Sequence, residues 1–214
     1  MISGPVPPLA YGLVAGRPLF LDLVEDSYFV LDPVESDSLP HREADIVASD
    51  RPGTPLPPAV LTPPTGAQRS VLEEQPRTRL SPAVAEVWTG LLKVRRDLAR
   101  RPLAGLLAAE QQRNRTRRPR RRKQQADTTG PDLTAEEARR FAAARVWVPA
   151  EPHCLTDSLA LLRWLVRRRL SAELVFGARL DPFAAHCWLE DGPWLLNDHL
   201  DTVQPFTPVL RLRC

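Results

Sequence analysis

Proline is the residue that most limits what this chain can fold into. Of its 23 prolines, 14 precede residue 83, and ten of those fall between Pro33 and Pro82. A proline inside a helix costs about 3 kcal/mol, because it lacks the amide donor and its ring meets the preceding turn. Long helix is therefore excluded over 33–80, where only short helices at Glu35–Ile46 and Thr65–Glu74, or a loop, fit. Strands remain available upstream. Leu9–Val14, Pro18–Val24 and Tyr28–Leu31, separated by the turns Ala15-Gly16 and Glu25-Asp26-Ser27, read as a three-stranded meander. Phe20 and Asp22 alternate with Leu19, Leu21 and Leu23, so one face is the more apolar. A meander of this size needs helices against it to be stable.

Beyond Pro82 the pattern changes to helical spacing. Ser81-Pro82 reads as a helix N-cap with proline at the first helical position. Val84, Val87, Trp88, Leu91 and Leu92 follow, and Leu98, Leu103, Leu106 and Leu107 continue past Pro102 as one kinked or two stacked helices. Thr134 and Glu137 form a capping box for a helix running to about Val146. The apolar run Cys154–Leu170 gives another helix. Strands are expected at Glu173–Ala178, Ala185–Glu190 and Trp194–Asp198. The fold class is α+β, with a small strand-rich unit over 1–80 and helices packed on an antiparallel sheet over 81–214.

The chain has 214 residues, enough for one or two domains, with 43% hydrophobic and 26% charged residues. That balance excludes wholesale disorder. No apolar run approaches the roughly 18 residues of a membrane span. Met1–Pro5 lacks a basic start leading into an apolar core, so no signal peptide and no membrane partner are expected. Three cysteines give no even disulfide framework and fit a reduced cytoplasmic setting. The net charge of +3 conceals a local effect. Arg113–Lys123 holds eight cations and no acid, leaving 21 − 26 = −5 for everything else. No aromatic residue interrupts this run and no nucleic-acid-reading motif surrounds it, so 113–131 reads as a basic polar linker or helix end rather than a nucleic-acid site. No Cys/His spacing suits a metal and no glycine-rich loop suits a nucleotide.

Cys154, His186 and Asp198 are the residues whose positions permit chemistry. A nucleophilic cysteine needs a depressed pKa, a base, and a group that orients the base. Cys154 opens an apolar helix, where the dipole favours a thiolate. Asp157 in the same turn opposes it slightly. His186 and Asp198 flank the connection Asp191-Gly192-Pro193. A two-residue loop at 191–192 would put 186 opposite 197. A three-residue loop at 191–193 pairs 190 with 194 and 186 with 198, about 4.5–5.5 Å apart at Cβ. The three-residue register is the expectation, since it unites the pair.

The stretch Cys154-Leu-Thr-Asp-Ser-Leu-Ala-Leu-Leu, with Phe176-Gly-Ala-Arg, Pro182-Phe-Ala-Ala-His-Cys-Trp and Leu196-Asn-Asp, resembles the lasso peptide maturation B proteins from about Trp147 to Leu212. These are transglutaminase-like, papain-like cysteine peptidases that remove the leader from a lasso precursor peptide. The resemblance implies that Cys154 is the nucleophile, His186 the general base and acid, and Asp198 the orienting carboxylate. It implies as partners a precursor leader peptide and an asparagine-synthetase-like cyclase, with no cofactor bound here and any ATP used through the cyclase. The opening meander resembles, more weakly, the small winged-helix PqqD-like leader-recognition domains. Two other functions stay open: acyl transfer on the same triad, and a non-enzymatic binding module. His153, Cys187, Trp188, His199 and Cys214 read as structural or idle, with Cys187 buried, inert and facing away from His186.

Overall fold

In a computed structural model of the chain, residues 6–30, 66–73, 81–117 and 130–213 are described. Three strands open it, β1 (Leu9–Val14), β2 (Arg17–Asp22) and β3 (Ser27–Val30), as an antiparallel meander. Val14 pairs with Arg17 across Ala15 and Gly16, both at positive φ (50° and 77°), as a type I′ hairpin requires. At the second turn the Asp22 carboxylate accepts the N–H groups of Val24 and Glu25 at 2.8 and 3.0 Å. The alternation holds. Leu19, Leu21 and Leu23 enter the main core, while Phe20 stacks between Tyr11 and Phe29.

The helices expected of a winged-helix unit, including Glu35–Ile46, fall outside the described residues. At 66–73 the outcome differs from the short helix expected at Thr65–Glu74. Arg69–Ser70 form a strand, β4. Its backbone is claimed by a sheet edge: Gln68 and Arg69 donate to the Pro193 carbonyl, and Val71 to that of Leu195. Long-range pairing overrides local preference here.

Pro102 separates two helices, α1 (Ala83–Leu98) and α2 (Leu103–Arg117). The Ser81 side chain does not cap α1. Its backbone carbonyl accepts Val84 N–H instead, with Pro82 as the capping residue. The first part of the basic run, Arg113–Arg117, is helical rather than linker. Helix α3 (Gly130–Arg145) starts one turn before the Thr134/Glu137 capping box. Asp132 supplies the acid of the first turn. Thr134 is buried within the helix, and Glu137 turns to Arg140 and to the Trp164 indole.

Helix α4 (Cys154–Arg167) is buried along most of its length. Behind it stand β5 (Glu173–Leu180), β6 (Phe183–Asp191) and β7 (Trp194–Leu195), then α5 (Leu200–Val203) and β8 (Thr207–Arg213). The sheet order is β4-β7-β6-β5-β8. It departs from the expected all-antiparallel sheet in one place, since β4 joins β7 in parallel. Strand β8 was not legible in the sequence. It pairs with β5 across a bulge at Phe176/Gly177, with Leu210 and Leu212 inward and Arg211 paired to Glu190.

Leu159, Leu162 and Val166 of α4 share one core with Leu174, Phe176 and Leu189 of the sheet. A fully buried leucine contributes about 1.5–3 kcal/mol, so this face fixes the helix firmly on the sheet. The meander leucines belong to the same core, and the Leu23 carbonyl accepts Ala104 N–H at the start of α2. A smaller cluster of Val175, Trp188, Leu195 and Val203 fills the other face of the sheet. Among the described residues, no helix is long and apolar enough to cross a membrane.

Candidate active site

Cys154 is the first residue of α4 and is exposed. His153 before it is extended (φ −134°, ψ 120°), and its N–H donates to the Asp157 carboxylate at 2.9 Å. The Arg145 guanidinium grips that carboxylate at 2.5 Å and also donates to the carbonyls of Val148 and Ala150. Asp157 is thus paired, not a free anion beside the thiol. The Arg145–Asp157 pair cinches the approach to the helix, whose first N–H groups, as in any helix, have no intrahelical acceptors.

His186 and Asp198 meet, but not through the expected register. Asp191 pairs with Trp194 and Glu190 with Leu195, so the loop is the two residues Gly192-Pro193. Proline fixes φ near −65°, which excludes a type I′ turn. Gly192, at φ 57°, fills the first central position of the II′ alternative. Continued regularly, this register would put residue 199 opposite 186. The ladder instead ends at Leu195. Leu196 N–H donates to the Leu189 carbonyl, and the Asn197 side chain takes the next ladder position, its Oδ1 accepting Leu189 N–H at 2.8 Å. Asn197 Nδ2 donates to Ser158 Oγ at 2.8 Å, and Ser158 donates to the Cys187 carbonyl at 3.2 Å. Two side chains thereby cap the free edge of β6 where a strand would otherwise pair. The backbone released from the ladder turns Asp198 toward His186.

The His186 Nε2 and Asp198 Oδ2 atoms lie 2.5 Å apart. With Nε2 engaged, Nδ1 is the nitrogen left for Cys154. Asp198 is held further by the N–H of His199 at 2.8 Å. His186 lies against two aromatic rings, Trp188 at 5.8 Å and Phe206 at 5.3 Å. Gly177 makes room for this stack: a Cβ there would lie 2.6 Å from the Trp188 ring.

Electrostatics follow from these contacts. The Cys154 thiol falls to about 4, through hydrogen bonds from the Cys187 thiol and from His186, against the opposing effect of burial. Burial alone would lower His186, but its hydrogen bonds to Asp198 and Cys154 raise it to about 9. Burial raises and His186 more than offsets for Asp198, whose carboxyl sits below its ordinary value. Between the two limits the resting pair is thiolate and imidazolium.

Cys187 is buried and faces away from His186, as its place on a strand implies. It is not remote from the site, because that opposite side faces α4. Its thiol donates to Ser158 Oγ at 3.8 Å, and the neighbouring Cys154 together with burial pushes its own pKa well up. Trp188 is core, yet it also supports the imidazole. His199 is exposed and contributes its backbone. Ser158, Gly177 and Asn197 lie in the motifs that carry the resemblance but have no individual role in the sequence analysis, and Ser70 has none either. Asn197 alone carried a local signal, since a polar residue beside an aspartate interrupts an otherwise apolar strand.

Cys154, His186 and Asp198 line one cleft of about 630 Å³. Phe141, Val146, Val148 and Leu72 supply its apolar walls. A helix-borne thiolate, an imidazolium and a carboxylate open to such a cleft make an arrangement suited to acyl-transfer chemistry.

Residues 88–211, more than half of the chain, match the Transglutaminase-like superfamily, and the chain belongs to that superfamily. A stretch of 45 residues is 49% identical to the microcin J25-processing protein McjB of Escherichia coli. That match covers 21% of this chain and 22% of McjB. Both findings bear out the resemblance to the lasso peptide maturation B proteins. No solved structure matches the chain.

Proposed function

We propose that this chain is a cysteine peptidase that removes the leader from a ribosomally made lasso precursor peptide. The observation that carries the proposal is the helix-borne Cys154 beside an imidazole that is itself bonded to a carboxylate, in a chain similar to a microcin-processing protein. Cys154 Sγ⁻ attacks the carbonyl carbon at the leader–core junction. The first-turn N–H groups of α4, that of Cys154 among them, receive the developing oxyanion. The His186 imidazolium gives its proton to the leaving amine, and the leader stays as a thioester. Neutral His186 then takes a proton from water, which releases the leader acid and restores the thiolate. Asp198 holds the ring in the tautomer and orientation that both steps need.

The freed core amine is the group that an asparagine-synthetase-like cyclase would join into a macrolactam. ATP belongs to that partner's chemistry. The segment 1–80 would recognise the leader by pairing a strand with an outer edge of its meander. Leader peptides with proline placed across the paired segment should then bind the full chain more weakly, while side-chain changes there are tolerated. Equal calorimetric affinity for the two peptide sets would defeat strand pairing.

The chemistry is tested by mixing the full chain with a candidate precursor and weighing the products. Hydrolysis gives two peptides whose masses sum to precursor plus water. The superfamily's name favours a second outcome, acyl transfer, in which an added amine is joined to the leader's carboxyl end. An intact precursor would overturn both.

A further inference from the structure

The segment 66–73 lies upstream of the superfamily match, which begins at residue 88. It nevertheless reaches the reacting centre. Ser70, on β4, is buried, 1% exposed, and its Oγ lies 2.5 Å from the backbone oxygen of Asp198. The same Oγ accepts Leu72 N–H at 3.0 Å. That second bond occupies a lone pair of the hydroxyl and leaves its proton for the Asp198 carbonyl. Leu72 then continues into the wall of the cleft.

We propose that Ser70 is a positioning residue of the reacting centre, its hydroxyl holding the Asp198 backbone so that the carboxylate faces His186. The need for it follows from the end of the ladder. Once the chain leaves β7 after Leu195, no strand neighbour among the described residues is left to bond the Asp198 carbonyl. Strand β4 pairs with β7 through Arg69–Trp194 and Ser70–Leu195, which delivers the Ser70 side chain just past the end of β7. Pairing through Val71 N–H to the Leu195 carbonyl keeps β4 in that register. One hydroxyl thus replaces the missing strand bond at the point where Asp198 must be fixed in angle. Loss of that donor favours rotation of the Asp198 peptide out of place, since a half-buried carbonyl left unbonded turns to find another partner.

The inference rests on the reading of Cys154, His186 and Asp198 as the reacting groups, and the test separates the two. Iodoacetamide is added to the full chain from pH 4 to pH 10, and alkylation at Cys154 is followed by peptide mass mapping. In Ser70→Ala the alkaline inflection contributed by His186 is expected to move down by about one unit, because a loosened Asp198 supports the imidazolium less. Release of leader should slow about 10–100-fold in kcat with KM little changed. Ser70→Thr keeps the hydroxyl and should restore both. Val71→Ala, a buried neighbour whose side chain does not touch the site, should lower Tm without moving the inflection. Asp198→Asn should move it further than Ser70→Ala. A Ser70→Ala profile no different from that of Val71→Ala, with Asp198→Asn shifted, overturns the positioning role alone. Profiles unmoved in both Ser70→Ala and Asp198→Asn overturn the triad reading and this inference with it.

Discussion

The two arms of the reacting centre are built by opposite means. Cys154 is placed locally: it begins a 14-residue helix whose apolar face docks on the sheet. Asp198 has no regular element of its own. Asn197, Ser158, Ser70 and His199 hold it and its neighbours, from three places along the chain. The nucleophile arm should therefore fail only when its chemistry is removed, while the carboxylate arm should fail whenever its geometry is loosened.

The largest effect belongs to the first arm. Cys154→Ala should fold with unchanged Tm and lose about 10⁶-fold in kcat, the scale of nucleophile removal in a catalytic triad. Leader release by this variant, weighed by mass, at more than a small fraction of the parent rate would break the comparison at its root.

Asp198→Asn tests the second arm. It should cost about 10⁴-fold in kcat, since the amide neither stabilises the imidazolium nor holds the neutral ring in the working tautomer. Asn197→Ala should cost less, about 10²-fold, by letting the 196–198 backbone shift by something like an ångström. Its effect should fall on kcat more than on KM, measured at saturating precursor. A loss in Asn197→Ala equal to that in Asp198→Asn would mean that the edge cap does more than position.

The aromatic support should respond through stability as well as rate. Gly177→Ala forces a methyl against Trp188 at 2.6 Å. Overpacking of this kind costs about 1–3 kcal/mol, visible as a fall in Tm. His186 should be displaced with its stacked neighbours.

The smallest effect is a matter of pH and needs no variant. Turnover needs the thiolate and the imidazolium together. As pH falls through about 4, Cys154 gains a proton and activity declines. As pH rises through about 9, His186 loses the proton it must give to the leaving amine, and activity declines again. A broad bell between these limits is expected, with both limbs belonging to the coupled pair. In Asp198→Asn the alkaline limb should move down, because the imidazolium loses its carboxylate partner, while the acid limb should stay near its place, because the ring is still protonated there.

How much of this was legible before the structure follows the same division. The meander, its turn at Ala15-Gly16 and its leucine face were readable, since alternation and turn chemistry are set by residues a few positions apart. The α4 start and Cys154 at its head were readable for the same reason. The capping box at Thr134 misled because α3 could begin earlier, and nothing local forbade the extra turn. The hairpin at Gly192-Pro193 misled more instructively. The right residues were paired through the wrong register, because a regular ladder was assumed and the side chain of Asn197 ended it.

The sequence by itself determined the residue types of the candidate site, the helix that presents the thiol and the strand that carries the imidazole. These depend on period and propensity, which act over one or two turns of chain. Tertiary structure alone decided that Asp198 faces His186, that Cys187 sits beside Cys154, and that Ser70, 128 residues from Asp198, closes the site. Each of these depends on unpaired backbone groups at a sheet edge finding partners from distant segments. A buried carbonyl or amide must be bonded by whatever the fold brings near it, and no local pattern in the chain encodes which group that will be.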